Sequence, residues 1–308
     1  MASGKIRNFD LLSTYSYFVP NPLKLLTLAL FFVLGAGISN VLYFFSTMYL
    51  GESQAVMMVV YVIMFIPPML YASSESHRNL FLDEGRQLDS RHFGKRGVLL
   101  VCASAMAATI ALSFIMDGVS VALLPEMPDY LKDMFSNMTS GNLVINFLMV
   151  SVFAPFFEEW LCRGMILRGL LWFRRRPALN PETGEMEERH GIGPVWAILI
   201  SALFFAVIHF NPWQALPAFT IGCLFGYVYY RTGSLKLTML MHFTNNTMAL
   251  VMGNVDSLKD ADTWLDVLSV GQYSAVAVIF AVLLFLVVRM LGKIELQSRQ
   301  GNCDGIKL

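Results

Sequence analysis

The amino-acid sequence predicts an all-α, polytopic integral membrane protein with eight transmembrane helices and both termini in the cytoplasm. Hydrophobic residues make up 56% of the chain and charged residues 14%, whereas soluble domains contain about 45–50% apolar and about 25% charged residues. The mean hydropathy is +0.57. Apolar runs long enough to cross a bilayer recur along the 308 residues, and lysine and arginine fall mainly on one side of them.

The predicted spans are apolar runs of about 17–25 residues, and longer where a helix is tilted. They cover residues 24–46, 54–73, 97–116, 143–172, 194–211, 214–230, 237–253 and 271–290. The polar residues before the first span lack the pattern of a secretory signal, so we expect that span to remain as an anchor. Only a tight turn separates the fifth and sixth spans, so the count of eight depends on the helices on either side of it.

The distribution of basic residues orients these spans. With both termini inside, all of the 22 lysines and arginines lie in or at the edge of cytoplasmic segments except Lys132, Lys259 and Arg163. The positive-inside rule describes such a bias. The net charge is zero, which provides no field that would attract nucleic acid, so no nucleic-acid partner is predicted.

The chain divides into three predicted regions. Residues 1–142 are an N-terminal membrane region with three spans and their loops, whose apolar helices we interpret as packing elements. Residues 143–253 form a core that contains the intramembrane charged and polar motifs, and residues 254–308 contain an external loop, the last span and a cytoplasmic tail. The hydrophilic stretch 174–193 inside the core is predicted to be a cytoplasmic loop.

The fourth span carries two adjacent carboxylates, Glu158 and Glu159, together with Arg163 in an otherwise apolar run. A charged side chain at membrane depth costs about 2.5–3.5 kcal/mol on insertion scales, so membrane proteins keep such groups mainly where they function. On a helix, Glu159 and Arg163 stand at i and i+4 and can pair, while Glu158 is rotated by about 100° from its neighbour. Glu158 is therefore the predicted free carboxylate.

Two further spans carry polar motifs. His209 ends the fifth span, and His242 and Asn246 stand four residues apart on one face of the seventh. Intramembrane His and Asn also serve as interhelical hydrogen-bonding groups worth about 0.6–2 kcal/mol, and for any one of them alone this is the simpler interpretation. Their concentration on three of the eight predicted spans indicates a common site.

These side chains suit hydrolysis. A carboxylate and a neutral imidazole, here Glu158 and His209, can hold and deprotonate a water molecule. A second imidazole and a carboxamide can stabilise an oxyanion, and one such donor contributes about 3–4 kcal/mol. A His2Glu zinc site of Glu158, His209 and His242 is the rival use. Because the H-E-x-x-H motif is absent and Asn is a poor zinc ligand, we favour an arrangement without metal or cofactor.

The motifs resemble those of a known family. In order along the chain they read E-E-x-x-x-R (Glu158 to Arg163), F-x-x-x-H (Phe205 to His209) and H-x-x-x-N (His242 to Asn246). This ordered set is similar to that of the CAAX protease and bacteriocin-processing (CPBP, or ABI) family. The family includes the type II CAAX prenyl endopeptidase, the Ras-converting enzyme and lysostaphin-resistance protein A-like proteins. The resemblance covers about residues 143–253.

The resemblance implies an intramembrane glutamate protease. In this scheme Glu158 and His209 activate the water and His242 and Asn246 form the oxyanion hole. Glu159 and Arg163 support the site. The implied partners are the lipid bilayer and a membrane-associated peptide or protein, either a prenylated CAAX-type protein or a bacterial leader peptide.

The expected location and the alternative functions complete these predictions. A bacterial plasma membrane is the expected location rather than the endoplasmic reticulum, and the oligomeric state stays open. The alternatives are a non-catalytic membrane scaffold or bacteriocin-immunity factor, a zinc-dependent metalloprotease that uses the same residues, and a transporter with a buried proton relay. The sequence has no inverted repeat, which disfavours the transporter.

The depths of the motifs set one geometric condition. At about 1.5 Å per residue, Glu158 and His209 lie about 22–24 Å from the cytoplasmic ends of their helices, whereas His242 lies only about 9 Å from the start of its helix. The three can meet only if the fourth and fifth helices project beyond the bilayer or if the turn at 231–236 is recessed. Either arrangement predicts a water-filled cavity that opens inward.

Overall fold

The computed structural model describes residues 11–80, 85–129, 131–132, 141–179, 184–255, 258, 261 and 263–296. The helices are α1 Pro22–Leu50, α2 Gln54–Asn79, α3 Val98–Leu123, α4 Leu143–Trp172, α5 Pro194–Val207, α6 Pro212–Thr232, α7 Leu235–Met252 and α8 Val270–Leu291. Short 3-10 turns cover Leu11–Tyr15, Gly94–Arg96 and Trp264–Asp266. The first ten residues, Lys259 and the predicted cytoplasmic tail after residue 296 lie outside the described residues.

The helix starts follow local capping rules. Asn21, Asn142 and Asn211 precede α1, α4 and α6, and each side chain accepts a hydrogen bond from a main-chain N–H of the first turn. Ser234 and Ser269 do the same for α7 and α8. Such caps satisfy donors that have no partner within the helix. The polar residues between apolar runs therefore fix where these helices begin.

The predicted helical membrane architecture is confirmed. In the described part of the chain, five helices are long and apolar enough to cross a membrane, and they are α1, α2, α3, α4 and α8. The other three predicted spans correspond to α5, α6 and α7, of which α5 has only 14 residues.

A two-stranded antiparallel hairpin, which the sequence analysis did not predict, lies where a plain hydrophilic loop was expected. Strand β1, Arg174–Leu179, pairs with β2, Met186–His190. The register shifts between Arg175 and Ala178. Pro177 occupies this irregularity, since proline has no N–H for the ladder and is tolerated at bulges.

Helix α4 is the buried centre of the bundle. All eight residues from Trp160 to Leu167 are buried. On one side they pack with residues of α1, α2 and the N-terminal turn, while a second apolar cluster joins α3, α6, α7 and α8. Large apolar side chains such as Leu99 and Phe285 are exposed on the outer helices, as expected for surfaces that face lipid.

Close helix approach has a specific cause at the α1–α2 contact. An added Cβ at Gly35 would lie 2.1 Å from the carbonyl oxygen of Met64. Beside it, the Ser39 hydroxyl donates to the carbonyl of Val60 at 2.8 Å. Pro67 and Pro68 lie just beyond this contact within α2. The backbones thus meet where α1 has no side chain, next to the prolines that interrupt the hydrogen-bond ladder of α2.

Arg168 fastens the N-terminal segment and the loop before α3 to α4. Its side chain is fully buried and donates to the main-chain carbonyls of Gly164 at 2.8 Å, Arg86 at 2.6 Å, Tyr15 at 3.1 Å and Phe18. One guanidinium thus donates to main-chain carbonyls of three different segments of the chain.

The turn between α6 and α7 is buried inside the protein. Thr232 and Ser234 are buried, and Gly233 between them adopts a left-handed conformation with φ of 62°. The loop after α2 covers this turn, because Asp89 Oδ1 accepts the Ser234 hydroxyl at 2.7 Å and the N–H of Ser90 donates to the Gly233 carbonyl at 2.9 Å. The turn is therefore covered by protein, while its depth relative to the bilayer stays a prediction.

Replacing Arg168 with methionine tests the role of the buried guanidinium. We expect Arg168→Met to lower the free energy of unfolding by about 3 kcal/mol or more, because several buried carbonyls lose their donor at once. Thermal unfolding in detergent, compared with Arg289→Met on the exposed face of α8, measures the difference. Equal melting temperatures for the two variants would contradict this role.

Candidate active site

The two carboxylates lie between two irregular turns of α4. Residues Phe147–Phe153 and Trp160–Leu167 are π-helical, and the segment between them, Ala154–Glu159, is α-helical. A π turn is wider than an α turn and changes the face on which the following residues lie, and such turns are common at functional sites. Glu158 and Glu159 are the last two residues of the α-helical segment. The π-helical segments on either side of it therefore determine which helix faces these two side chains occupy.

Glu159 and Arg163 form the predicted i, i+4 pair. Arg163 Nη1 lies 2.7 Å from Glu159 Oε1, and neither side chain is exposed. Arg163 Nη2 also donates to the carbonyl of Gly222 on α6 at 3.0 Å. Its guanidinium carbon lies 4.5 Å from the centre of the Phe205 ring, which permits a cation–π interaction. The pair therefore ties α4 to α5 and α6.

Glu159 has a second partner that sequence reasoning missed. Its Oε1 lies 3.1 Å from His242 Nδ1 on α7. No local sequence pattern marks this contact, because the two residues are 83 positions apart in the chain. One buried carboxylate oxygen thus receives both the arginine and the imidazole.

Glu158 is the carboxylate that faces both imidazoles. Its Oε2 is buried, has no hydrogen-bond partner among the described residues, and lies 3.9 Å from the Nε2 atoms of both His209 and His242. Its Oε1 is not free, because the Tyr61 hydroxyl of α2 donates to it at 2.8 Å. The structure therefore brings Glu158, His209 and His242 together, and it adds a tyrosine that no sequence motif marked.

The hydrogen bonds of the two histidines define which ring nitrogen carries a proton. His209 Nδ1 lies 2.7 Å from the Phe205 carbonyl, and a carbonyl can only accept. His242 Nδ1 faces the Glu159 carboxylate, which is likewise an acceptor. In a neutral ring the other nitrogen, Nε2, then carries a lone pair. When both rings are neutral, their Nε2 lone pairs therefore face Glu158.

Asn246 lies one turn beyond His242 and is bound to α4. Its Nδ2 donates to the Val150 carbonyl at 2.8 Å, and its Oδ1 accepts from Asn245 at 3.2 Å. Val150 lies in the first π-helical segment. A carboxamide has two N–H donors, so this bond uses one of them.

Aromatic rings surround the imidazoles. The Phe205 ring meets both His209 and His242 edge-on, with centroid distances of 4.9 and 5.5 Å. Phe225 of α6 lies 5.9 Å from His242. The phenylalanine of the F-x-x-x-H motif therefore contacts both histidines as well as the guanidinium of Arg163. The side chains of His209 and Glu158 keep 23% and 13% exposure, so the site is not sealed.

A cavity of about 310 Å³ lies elsewhere in the bundle. Its walls come from the loop after α2, the end of α4, the start of α5, the end of α6 and the last described residues, and they include Arg86, Trp172, Tyr229, Arg231 and Leu296. None of the predicted catalytic residues lines it. It is thus not the inward-opening cavity that the depth argument predicts.

The metal alternative concerns the same three side chains. Among the described residues, no group of three or more His, Cys, Asp and Glu side chains is arranged to hold a metal ion. Glu158 and the two histidines are the nearest arrangement, with separations of 3.9 Å from the carboxylate oxygen to each ring nitrogen.

The buried pair can be tested by removing one partner and then both. We expect Arg163→Met to destabilise the protein by about 3–5 kcal/mol, because it leaves the Glu159 carboxylate buried without its charged partner. The double variant Glu159→Gln/Arg163→Met should recover part of this loss. Melting temperatures in detergent provide the measurement, and a single variant as stable as the parent would refute the assigned role.

Comparison with known proteins places part of the chain in a family. Residues 140–248 match the model of the family described as type II CAAX prenyl endopeptidase Rce1-like. No curated protein and no solved structure matches the chain. The matched segment contains α4 to α6 and most of α7 and, with them, both glutamates and both histidines of the site. Over residues 140–248 this membrane protein is therefore similar to the Rce1-like protease family, which is consistent with the CPBP family that its motifs indicated.

Proposed function

We propose that this protein is an intramembrane endopeptidase of the glutamate-protease type, which hydrolyses a peptide bond of a membrane-associated substrate. The observation that carries the proposal is the convergence of Glu158 Oε2 with the Nε2 atoms of His209 and His242, each 3.9 Å away. The Rce1-like family description of residues 140–248 supports the reaction class.

The proposed chemistry starts with a water molecule held by Glu158 and His209. A separation of 3.9 Å is too long for a direct hydrogen bond and is one that a shared water can bridge. One O–H would point to the Glu158 carboxylate and the other to the His209 Nε2 lone pair. As the water oxygen attacks the carbonyl carbon, Glu158 takes its proton, and that proton passes to the leaving amine when the C–N bond breaks.

His242 and Asn246 are the proposed oxyanion hole. For His242 to donate from Nε2, the ring must carry both protons, with Nδ1–H directed to Glu159. The carboxylate of Glu159 would then balance the charge of the imidazolium. Asn246 has a second N–H besides the one bound to Val150. Donors aimed at the developing oxyanion in a water-poor site act strongly.

The substrates that fit this proposal are membrane-associated proteins or peptides, either prenylated CAAX-type proteins or bacterial leader peptides. The CAAX class follows the family description. The expected location is a bacterial plasma membrane. A site among the bundle helices requires a substrate that reaches the bilayer, which a lipid-modified chain end or an apolar leader would do.

The proposed topology has eight spans and cytoplasmic termini. It treats α5, α6 and α7 as spans although they are shorter or more polar than the other five. His209 of α5 and His242 of α7 face Glu158 rather than lipid, which is where polar groups are tolerated in a membrane. Protein neighbours in the bundle also shelter the short helix α5 on one side.

Activity measurements on Glu158 variants test the function. We expect Glu158→Gln to lower kcat by about 10³-fold or more, because the variant loses its general base. Its melting temperature should stay within a few degrees of that of the parent. The assay uses reconstituted protein with farnesylated C-a-a-X peptides and bacterial leader peptides, with and without a chelator.

Other outcomes of this assay would each favour one of the alternative functions. Loss of activity on chelation, with recovery on adding zinc, would favour the metalloprotease that uses Glu158, His209 and His242. Unchanged biological activity of Glu158→Gln would favour a non-catalytic scaffold or immunity factor. Glu188→Gln, on the exposed side of β2, is the control and should cleave like the parent.

Cysteine labelling tests the topology. In a background that lacks the four native cysteines, we expect Glu188→Cys in the hairpin and Val267→Cys before α8 to react on opposite sides, because three spans separate them. A membrane-impermeant maleimide should label Val267→Cys in intact cells and Glu188→Cys only after permeabilisation. Labelling of both from one side would contradict three spans between them.

A further inference from the structure

Helix α2 contributes to the site although it lies outside the family-matched segment. We propose that Tyr61 is a positioning residue that fixes which oxygen of Glu158 faces the two histidines. This inference rests on the proposed function, since it assigns Tyr61 a part in the same reaction. Sequence reasoning interpreted the first three spans as packing elements, so this role is additional to the motifs.

The hydroxyl of Tyr61 holds one carboxylate oxygen. It lies 2.8 Å from Glu158 Oε1, and a phenol has one proton to donate. A carboxylate at the end of a Glu side chain turns easily, because the last torsion has broad wells. With Oε1 held by Tyr61, Oε2 is the oxygen that faces both Nε2 atoms at 3.9 Å.

The tyrosine ring is itself fixed relative to α4. Tyr61 contacts Phe65 with a centroid distance of 5.5 Å, and Phe65 stacks on Phe157 at 5.0 Å with planes only 19° apart. Phe65 is completely buried, and Phe157 immediately precedes Glu158. These aromatic contacts link α2 to the residue next to Glu158. They therefore fix the position of the Tyr61 hydroxyl relative to the Glu158 carboxylate.

We expect the hydrogen bond between Tyr61 and Glu158 to affect the rate of the chemical step rather than substrate binding. Tyr61 bonds the oxygen that points away from the histidines, so in the proposed mechanism it orients the base without touching the attacked carbonyl. A hydrogen bond from a neutral donor to a carboxylate is among the stronger ones. Its loss should therefore lower kcat and leave KM close to that of the parent.

The variant Tyr61→Phe removes only the hydroxyl oxygen and keeps the ring that packs on Phe65. We expect kcat to fall on the order of 10- to 100-fold with KM unchanged, and the melting temperature to fall only slightly because the ring packing is kept. Tyr71→Phe is the matched control, because Tyr71 lies on the same helix and stacks on Phe31 at 5.0 Å. Its kcat should stay within twofold of the parent.

A rescue variant covers the case in which Tyr61→Phe changes stability. Replacing Tyr61 with 4-aminophenylalanine returns an N–H donor to the same place and should restore part of kcat. A wild-type kcat for Tyr61→Phe, or equal losses in Tyr61→Phe and the 4-aminophenylalanine protein, would overturn the inference. Glu158→Gln separates the two hypotheses: if it is inactive while Tyr61→Phe is fully active, only the role of Tyr61 fails.

Discussion

The buried pair of Glu159 and Arg163 is the interaction on which the site depends. Two charges without solvent exposure have lost their hydration, and their attraction offsets this cost best when the geometry is good and further hydrogen bonds support the pair. Here the arginine also holds the carbonyl of Gly222, and the glutamate also holds His242. Four helices are thereby fixed around one point, since Phe205 of α5 lies against the guanidinium.

Glycine at position 222 is part of the same arrangement. A Cβ there would lie 3.2 Å from Ala202 and 3.3 Å from Arg163 Nη2. The close approach of α5 and α6 therefore leaves little space for a side chain at position 222 beside the Arg163 guanidinium. Packing and electrostatics at this point are a single constraint.

Local sequence rules predicted some parts of this site and not others. The i, i+4 rule gives the Glu159–Arg163 pair, and the scarcity of polar residues in the spans predicts that Glu158, His209 and His242 belong together. No local rule marks Tyr61, since one tyrosine in an apolar helix has the pattern of a packing residue. The bond between Glu159 and His242 likewise arises only from tertiary structure.

Backbone irregularity explains the remaining differences. The hairpin at residues 174–190 was hidden because both strands are charged and Pro177 interrupts the first, so neither has the alternation of apolar and polar residues that marks a half-buried strand. The π-helical turns leave no periodic signature over so few residues. Asn246, expected to form part of the oxyanion hole, binds the carbonyl of Val150 in one of those turns.

The two π-helical turns of α4 also limit how this region can change in length. Each behaves as a one-residue insertion accommodated without a loop. Loss of one residue from Phe147–Phe153 would leave an unbroken helix. The part of α4 after the deletion would nevertheless be rotated by about 100° relative to the part before it. Homologous proteins that conserve the chemistry should therefore keep the spacing between the start of α4 and its carboxylates, even where the side chains between them differ.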